Sequence, residues 1–229
     1  MEHGSVLLIP AYNPPSTLLD YAGRLIKAGF SEIIVVNDGS RTDKLPIVFR
    51  LERLGVIVLT HDENKGQGAA IKTGLSYYED HFAEMRDGVI TLNAARFYTV
   101  EDVRKIADVL ASENEKNSEK LVLAERDLQG NGVSDYDYRM ASLSKTIYHM
   151  LMGIQLDDPM SGVFGIPDSS ILNCIDIPGE GYVYVTSLTM TIEKSGFVPV
   201  QVGYPSYEPE RETKFKKVGD SFRILYTLA

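Results

Sequence analysis

The sequence predicts an α/β fold, a mostly parallel sheet with helices on both faces. Short apolar runs alternate with amphipathic helical stretches through the first half of the chain. The runs are apolar throughout rather than alternating, as strands buried on both faces are. Polar, glycine-bearing or asparagine-bearing turns follow them, where open α/β sheets collect ligands outside the carboxyl ends of their strands.

The elements follow in order. Ser5 to Ile9 reads as a buried strand ended by Pro10. Asn13-Pro14-Pro15 makes a turn, and Ser16 caps a helix carrying Leu18, Leu19, Ala22, Leu25 and Ile26 up to Gly29. Glu32 to Val36 is the second strand. Ile47, Leu51 and Leu54 mark a helix, and Val56 to Leu59 the third strand. A polar loop from His61 to Gly68 opens a helix over Ala69 to Tyr78. Val89 to Leu92 ends a fourth strand, and Thr99 with Asp102 begins a helix whose face is Val103, Ile106, Ala107 and Leu110.

The second half is less regular. Leu121 to Ala124 reads as a strand, Met140 to Met152 as a helix, and Val163 to Ile166 as a short apolar run. Val183 to Lys194 reads as helical, Phe197 to Val202 as a strand, and Lys217 to Leu228 as an amphipathic helix showing Val218, Phe222, Leu225 and Tyr226. Core packing of that last face is the expectation, with a membrane-surface helix as the rival. With no repeat or linker, the chain reads as one domain over 1–229. About 1–111 forms a nucleotide-binding half and 112–229 a sugar and acceptor half.

Composition removes several function classes. The net charge of −9 argues against a general nucleic-acid binder, which needs a basic surface. Cys174 is the one cysteine, so no intrachain disulfide forms, in keeping with a reducing cytoplasm. The N-terminus lacks a signal-peptide pattern, and no apolar run approaches ~20 residues. A cytoplasmic location is expected, with a peripheral position at the inner face of a membrane left open. The histidines show no metal-ligand spacing, and His61 and His149 read as ordinary polar residues.

Single motifs are ambiguous. Asn37-Asp38-Gly39-Ser40 either presents a carboxylate to a nucleobase or ribose or forms an Asx turn. Asn64-Lys65-Gly66-Gln67-Gly68 either turns backbone N–H groups toward an anion or is a plain loop. Taken in order, L-I-P-A-Y-N, I-I-V-V-N-D-G-S, N-K-G-Q-G-A-A-I-K-T-G, L-V-L-A-E-R-D, D-D-P-M-S-G-V-F-G-I-P and R-E-T-K-F resemble the family 2 glycosyltransferases. Those are inverting enzymes of the GT-A fold, and the branch it looks closest to is the polyprenyl- and dolichyl-phosphate sugar synthases.

The resemblance implies a nucleoside-diphosphate sugar as donor and a polyprenyl phosphate or other acceptor. It places Ala11 and Tyr12 against base and ribose, Asp38 on the nucleobase, and Lys65 and Gly68 in the loop closing over the base. Arg126 falls near sugar or phosphate, and Arg211 and Lys214 in a basic segment reaching the diphosphate. Asp158 takes the place of an acceptor-region carboxylate, which would deprotonate the attacking oxygen or, for an already ionised lipid phosphate, orient it.

The chain departs from the family at T-L-N-A-A-R-F. Asn93 and Ala95 stand where the family carries two aspartates for Mg²⁺ or Mn²⁺. Asn93 offers one neutral oxygen and Ala95 none, whereas hard divalent cations take charged oxygens. No metal is assigned at this loop, and Arg96 either supplies fixed positive charge in its place or points into solvent. Two readings follow: a transferase, and a catalytically inactive nucleotide-sugar-binding or scaffold protein keeping the fold. A nucleotidyltransferase is disfavoured, because no G-x-G-T-R-type loop follows the first strand.

Overall fold

The computed structural model describes residues 3–207 apart from 131, 154, 160, 180, 182–183 and 190–195. Its seven-stranded sheet runs β3-β2-β1-β4-β7-β6-β8, from β1 (Ser5–Ala11), β2 (Ile33–Asp38), β3 (Ile57–His61), β4 (Gly88–Thr91), β6 (Leu121–Arg126), β7 (Phe164–Pro167) and β8 (Phe197–Val202). The pairings of β1, β2, β3 and β4 with one another, and of β6 with β8, are parallel. β7 runs antiparallel to both of its neighbours. A separate ribbon joins β5 (Arg96–Phe97) to β9 (Ser206–Tyr207).

Strand parity builds two cores. Leu7, Ile9, Ile33, Val35 and Ile90 face α1 (Thr17–Lys27), α2 (Leu45–Arg53) and α4 (Val100–Glu115). Val6, Leu8, Ile34, Val36 and Val89 face α3 (Gln67–Phe82) and α6 (Ile171–Asp176). Burial of both faces explains why these strands read as unbroken apolar runs.

Several element bounds differ from the sequence reading, each for a local reason. β1 continues through Pro10, which pairs with Val36. Pro10 shares the orientation of Leu8, whose carbonyl accepts from Leu92 on the β4 side, and ladder pairing with β4 stops at Leu8. The missing N–H therefore leaves no ladder partner unsatisfied. Ser16 occupies the N-cap of α1 but makes no capping hydrogen bond, because its backbone is already helical. α5 (Asp135–Met152) starts five residues ahead of Met140, since Ser134 caps it by accepting from the N–H of Asp137. The short β5, β9 and α6 carry too little periodicity to be read locally. Residues 184–189 are helical and 190–195 lie outside the described residues, as do Arg211, Lys214 and the expected helix over 217–228. Among the described residues no helix is long and apolar enough to cross a membrane.

Candidate active site

Topology gathers the chemistry on one edge. β1, β2, β3 and β4 are mutually parallel, so Ala11, Asp38, His61 and Asn93 lie at their shared carboxyl edge. Two successive antiparallel pairings make β6 run with β4, which brings Arg126 and then Tyr204 to the same edge. β7 begins where its neighbours end, so the segment leading into it delivers Asp158 there too.

At the β1–β3 end, Asp38 is 3 % exposed and organises the surrounding loops. Its Oδ1 accepts from the Lys65 N–H at 2.8 Å and lies 2.8 Å from His61 Nδ1. Its Oδ2 accepts from Asn64 Nδ2 at 2.8 Å and the Gly66 N–H at 2.9 Å. A carboxylate has about four acceptor directions, and all are used within the protein. The loop after β2 is also an Asx turn, with Asn37 Oδ1 accepting from the Ser40 N–H at 3.2 Å. The Asx turn is therefore formed, by Asn37, while the Asp38 carboxylate is taken up by donors of the protein itself.

Two glycines let these loops close together. A Cβ on Gly39, whose φ is +63°, would come within 2.3 Å of the Glu63 carbonyl carbon. One on Gly68 would meet Tyr184 Cβ at 2.3 Å. Gly68 therefore serves a close approach between α3 and the helical segment 184–189. The loop after β1 joins the cluster through the Asn13 N–H, which donates to Ser40 Oγ at 2.9 Å, and Asn13 Oδ1, which accepts from the Arg41 N–H at 2.9 Å. Ala11 is buried, Tyr12 half-buried, and the Lys65 side chain exposed.

Toward β6 and β8 the charges are fixed. Arg126 donates from Nε to Asp158 Oδ2 at 2.5 Å and from Nη2 to Oδ1 at 2.8 Å, and its backbone N–H reaches Oδ2 at 3.2 Å. The guanidinium also sits 5.8 Å from the centre of the Tyr204 ring. Burial works against the charge on Arg126, but the Asp158 hydrogen bonds and charge raise its pKa above the ordinary arginine value. Beside it, burial raises the Asp137 carboxyl, while Ser134 and Tyr204 hydrogen bonds and the charges of Arg96 and Arg126 bring it net below its ordinary range. Arg96 and Arg126 thus act on one shared carboxylate. Burial pushes the Glu125 carboxyl up, helped by the negative charges of Asp157 and Asp158. Glu125 holds the loop into β7 by accepting from the Asp157 N–H at 3.1 Å.

The β4 loop sits between these clusters. Asn93 Oδ1 accepts from the Ala95 N–H at 2.9 Å, and Asn93 bridges to Arg96. The one oxygen that could face a cation is thus turned into the loop, and Ala95 adds a methyl group. Among the described residues no three His, Cys, Asp or Glu side chains gather to hold a metal ion. The donor set at Asn93 and Ala95 does not fit the divalent cation that the resemblance implies.

The structure joins Asp38 to the Lys65 loop and Arg126 to Asp158, but it does not bring the two clusters together. β2 and β6 are four strand spacings apart, roughly 19 Å at ~4.8 Å per spacing. Sequence reasoning missed His61 and Thr73 beside Asp38, and Glu125, Asp137 and Tyr204 beside Arg126. Glu125 lay inside a motif already singled out, and Ser134 three residues before Asp137 was a legible cap.

Comparison with known proteins adds ancestry. Residues 6–118 match the profile described as Glycosyl transferase family 2. An uncharacterized protein of Methanocaldococcus jannaschii is 25% identical over 230 residues, covering 97% of this chain and 89% of that one. A UDP-N-acetylglucosamine–dolichyl-phosphate N-acetylglucosaminyltransferase of Methanococcus voltae is 23% identical over 249 residues, covering 97% and 93%. Among solved structures, 4-diphosphocytidyl-2C-methyl-D-erythritol synthase aligns over 100% of both chains with a TM-score of 0.49 at 14% identity, a likeness too slight to argue from.

Proposed function

Residues 6–118 belong to glycosyl transferase family 2, and from that premise we propose that the chain binds a nucleoside-diphosphate sugar along the carboxyl edge and passes the sugar, with inversion, to a lipid phosphate. The Asp38-held loop supports the nucleotide end, because Asp38 holds the backbone around Asn64, Lys65 and Gly66 in one arrangement. The cations near β6 support the phosphate end. The methanogen relative named for a UDP-sugar and dolichyl phosphate supports these donor and acceptor classes. An extended sugar nucleotide can bridge the space between the clusters.

In the proposed reaction an ionised acceptor phosphate oxygen attacks the anomeric carbon. The bond from that carbon to the diphosphate breaks, and the nucleoside diphosphate leaves with the electron pair. An ionised phosphate needs no proton removed. Asp158, tied to Arg126 through both oxygens, acts by orienting that arginine rather than by taking a proton.

The observation carrying this reading is the family match across the nucleotide half together with the Asp38-centred loop. One observation favours the second reading, a binding protein without transfer: the Asn93–Ala95 turn offers no charged oxygen to a metal. Calorimetry with UDP- and GDP-sugars, with and without Mn²⁺, followed by transfer assays onto polyprenyl phosphate, separates the two. Tight binding with transfer supports the enzyme, and tight binding without transfer the binder. No binding by any sugar nucleotide rejects both.

A further inference from the structure

Behind Asp38 runs a buried hydrogen-bonded line. His61 ends β3, stands in register with Asp38 at the end of β2, and is 9 % exposed. Its Nδ1 lies 2.8 Å from Asp38 Oδ1, and its Nε2 lies 2.9 Å from Thr73 Oγ1 on α3. An ionised carboxylate only accepts, so Nδ1 carries the hydrogen. In the neutral ring Nε2 is then a lone pair, and the Thr73 hydroxyl donates to it. Helix α3 therefore sets the ring, the ring sets the carboxylate, and the carboxylate sets the loop that opens α3.

We propose that His61, backed by Thr73, is a positioning residue of the nucleotide site. It holds the Asp38 carboxylate in the orientation from which both oxygens collect Asn64, Lys65 and Gly66. Without the imidazole, Oδ1 keeps one donor, the Lys65 N–H, and the carboxylate can turn about its own axis. The Lys65 and Gly66 N–H groups then lose a fixed acceptor, and the loop must be ordered at the expense of ligand affinity. The role of this line in nucleotide binding rests on the reading of the edge as a sugar-nucleotide site; its role in fixing the loop does not.

Three measurements test it. Long-range ¹H–¹⁵N spectra of the protein should show a hydrogen on His61 Nδ1; a bare Nδ1 overturns the proposal. Native-state hydrogen exchange should show the Lys65 and Gly66 amides slowed, and His61→Ala should speed them about tenfold or more, as expected for loss of a hydrogen bond to a charged group. The Leu7 and Leu92 amides should keep their rates. His61→Asn, whose amide can donate from nearly the place of Nδ1, should retain most of the protection. Thr73→Val should give a smaller loss at the same two amides, and serves if His61→Ala does not fold. Acceleration that is uniform across the protein, or equal for Asn and Ala at position 61, overturns the proposal.

The third measurement is UDP affinity. His61→Ala should weaken it about tenfold, with partial recovery in added imidazole and near-normal affinity in His61→Asn. Exchange changes as expected with no binding of UDP, GDP or their sugars by any variant would leave the positioning role standing and reject the nucleotide reading. Unchanged UDP affinity in His61→Ala would reject the positioning role in binding.

Discussion

Arg126 and Asp158 form a buried fork-to-carboxylate pair, with side chains 3 % and 1 % exposed and bonds of 2.5 and 2.8 Å. They stand 32 residues apart in sequence, and the antiparallel entry of β7 brings them together.

Removing the charge on Asp158 should therefore be felt first as instability. Asp158→Asn leaves a buried guanidinium without its counter-charge, a change expected to cost about 3–5 kcal/mol. Urea unfolding of the variant against wild type measures it. Full stability combined with complete loss of transfer would instead make Asp158 a group acting on the acceptor directly.

Asp38→Ala removes the acceptor for four donors around the loop. Nucleotide affinity should fall roughly tenfold or more, the effect of losing charge-assisted hydrogen bonds that order a binding loop. Titration calorimetry with UDP, alongside circular dichroism to establish the fold, provides the comparison. Equal affinity in a folded variant would remove Asp38 from the nucleotide site.

The Asn93–Ala95 turn gives a prediction about metals. Nucleotide affinity of the natural sequence should change little between EDTA and Mn²⁺, because the turn holds no charged oxygen. The double variant Asn93→Asp, Ala95→Asp should gain Mn²⁺-dependent binding. Strong stimulation of transfer by Mn²⁺ in the unaltered protein would mean that other carboxylates rebuild a site.

Thr99 and Asp102 couple the start of α4 to the segment after β8. Thr99 Oγ1 accepts from the Asp102 N–H at 3.1 Å and donates to Asp102 Oδ2 at 2.6 Å. Burial raises the Asp102 carboxyl, but Thr99, the Gly203 N–H and Lys105 together hold its pKa below the ordinary value. A carboxyl depressed in the folded state stabilises above its unfolded pKa, ~3.9, and that contribution fades as pH falls through the lower folded value. The stability gap between wild type and Asp102→Asn in urea should thus be widest at neutral pH and close below about pH 4. Thr99→Ala should cost about 1 kcal/mol through the lost cap. A gap that widens in acid would contradict this assignment.

The sequence by itself determined the layered α/β plan, because its signals are local. Unbroken apolar strands such as Val6 to Ile9 and Ile33 to Val36 require two covered faces, and the Thr99 cap and the glycine-bearing loops mark where strands hand over to helices. It also placed Asp38, Asn93 and Arg126 just at or beyond strand ends, and so on one edge. Side-chain partners were decided only by tertiary structure. Whether Asp38 is open or saturated depends on the register that sets it beside His61 and on the fold-back of residues 64–66. Whether Asp158 meets Arg126 depends on β7 entering the sheet antiparallel beside β6. Strand order and register arise from burial summed over the whole sheet, and no local pattern around Asp38 or Asp158 encodes that sum.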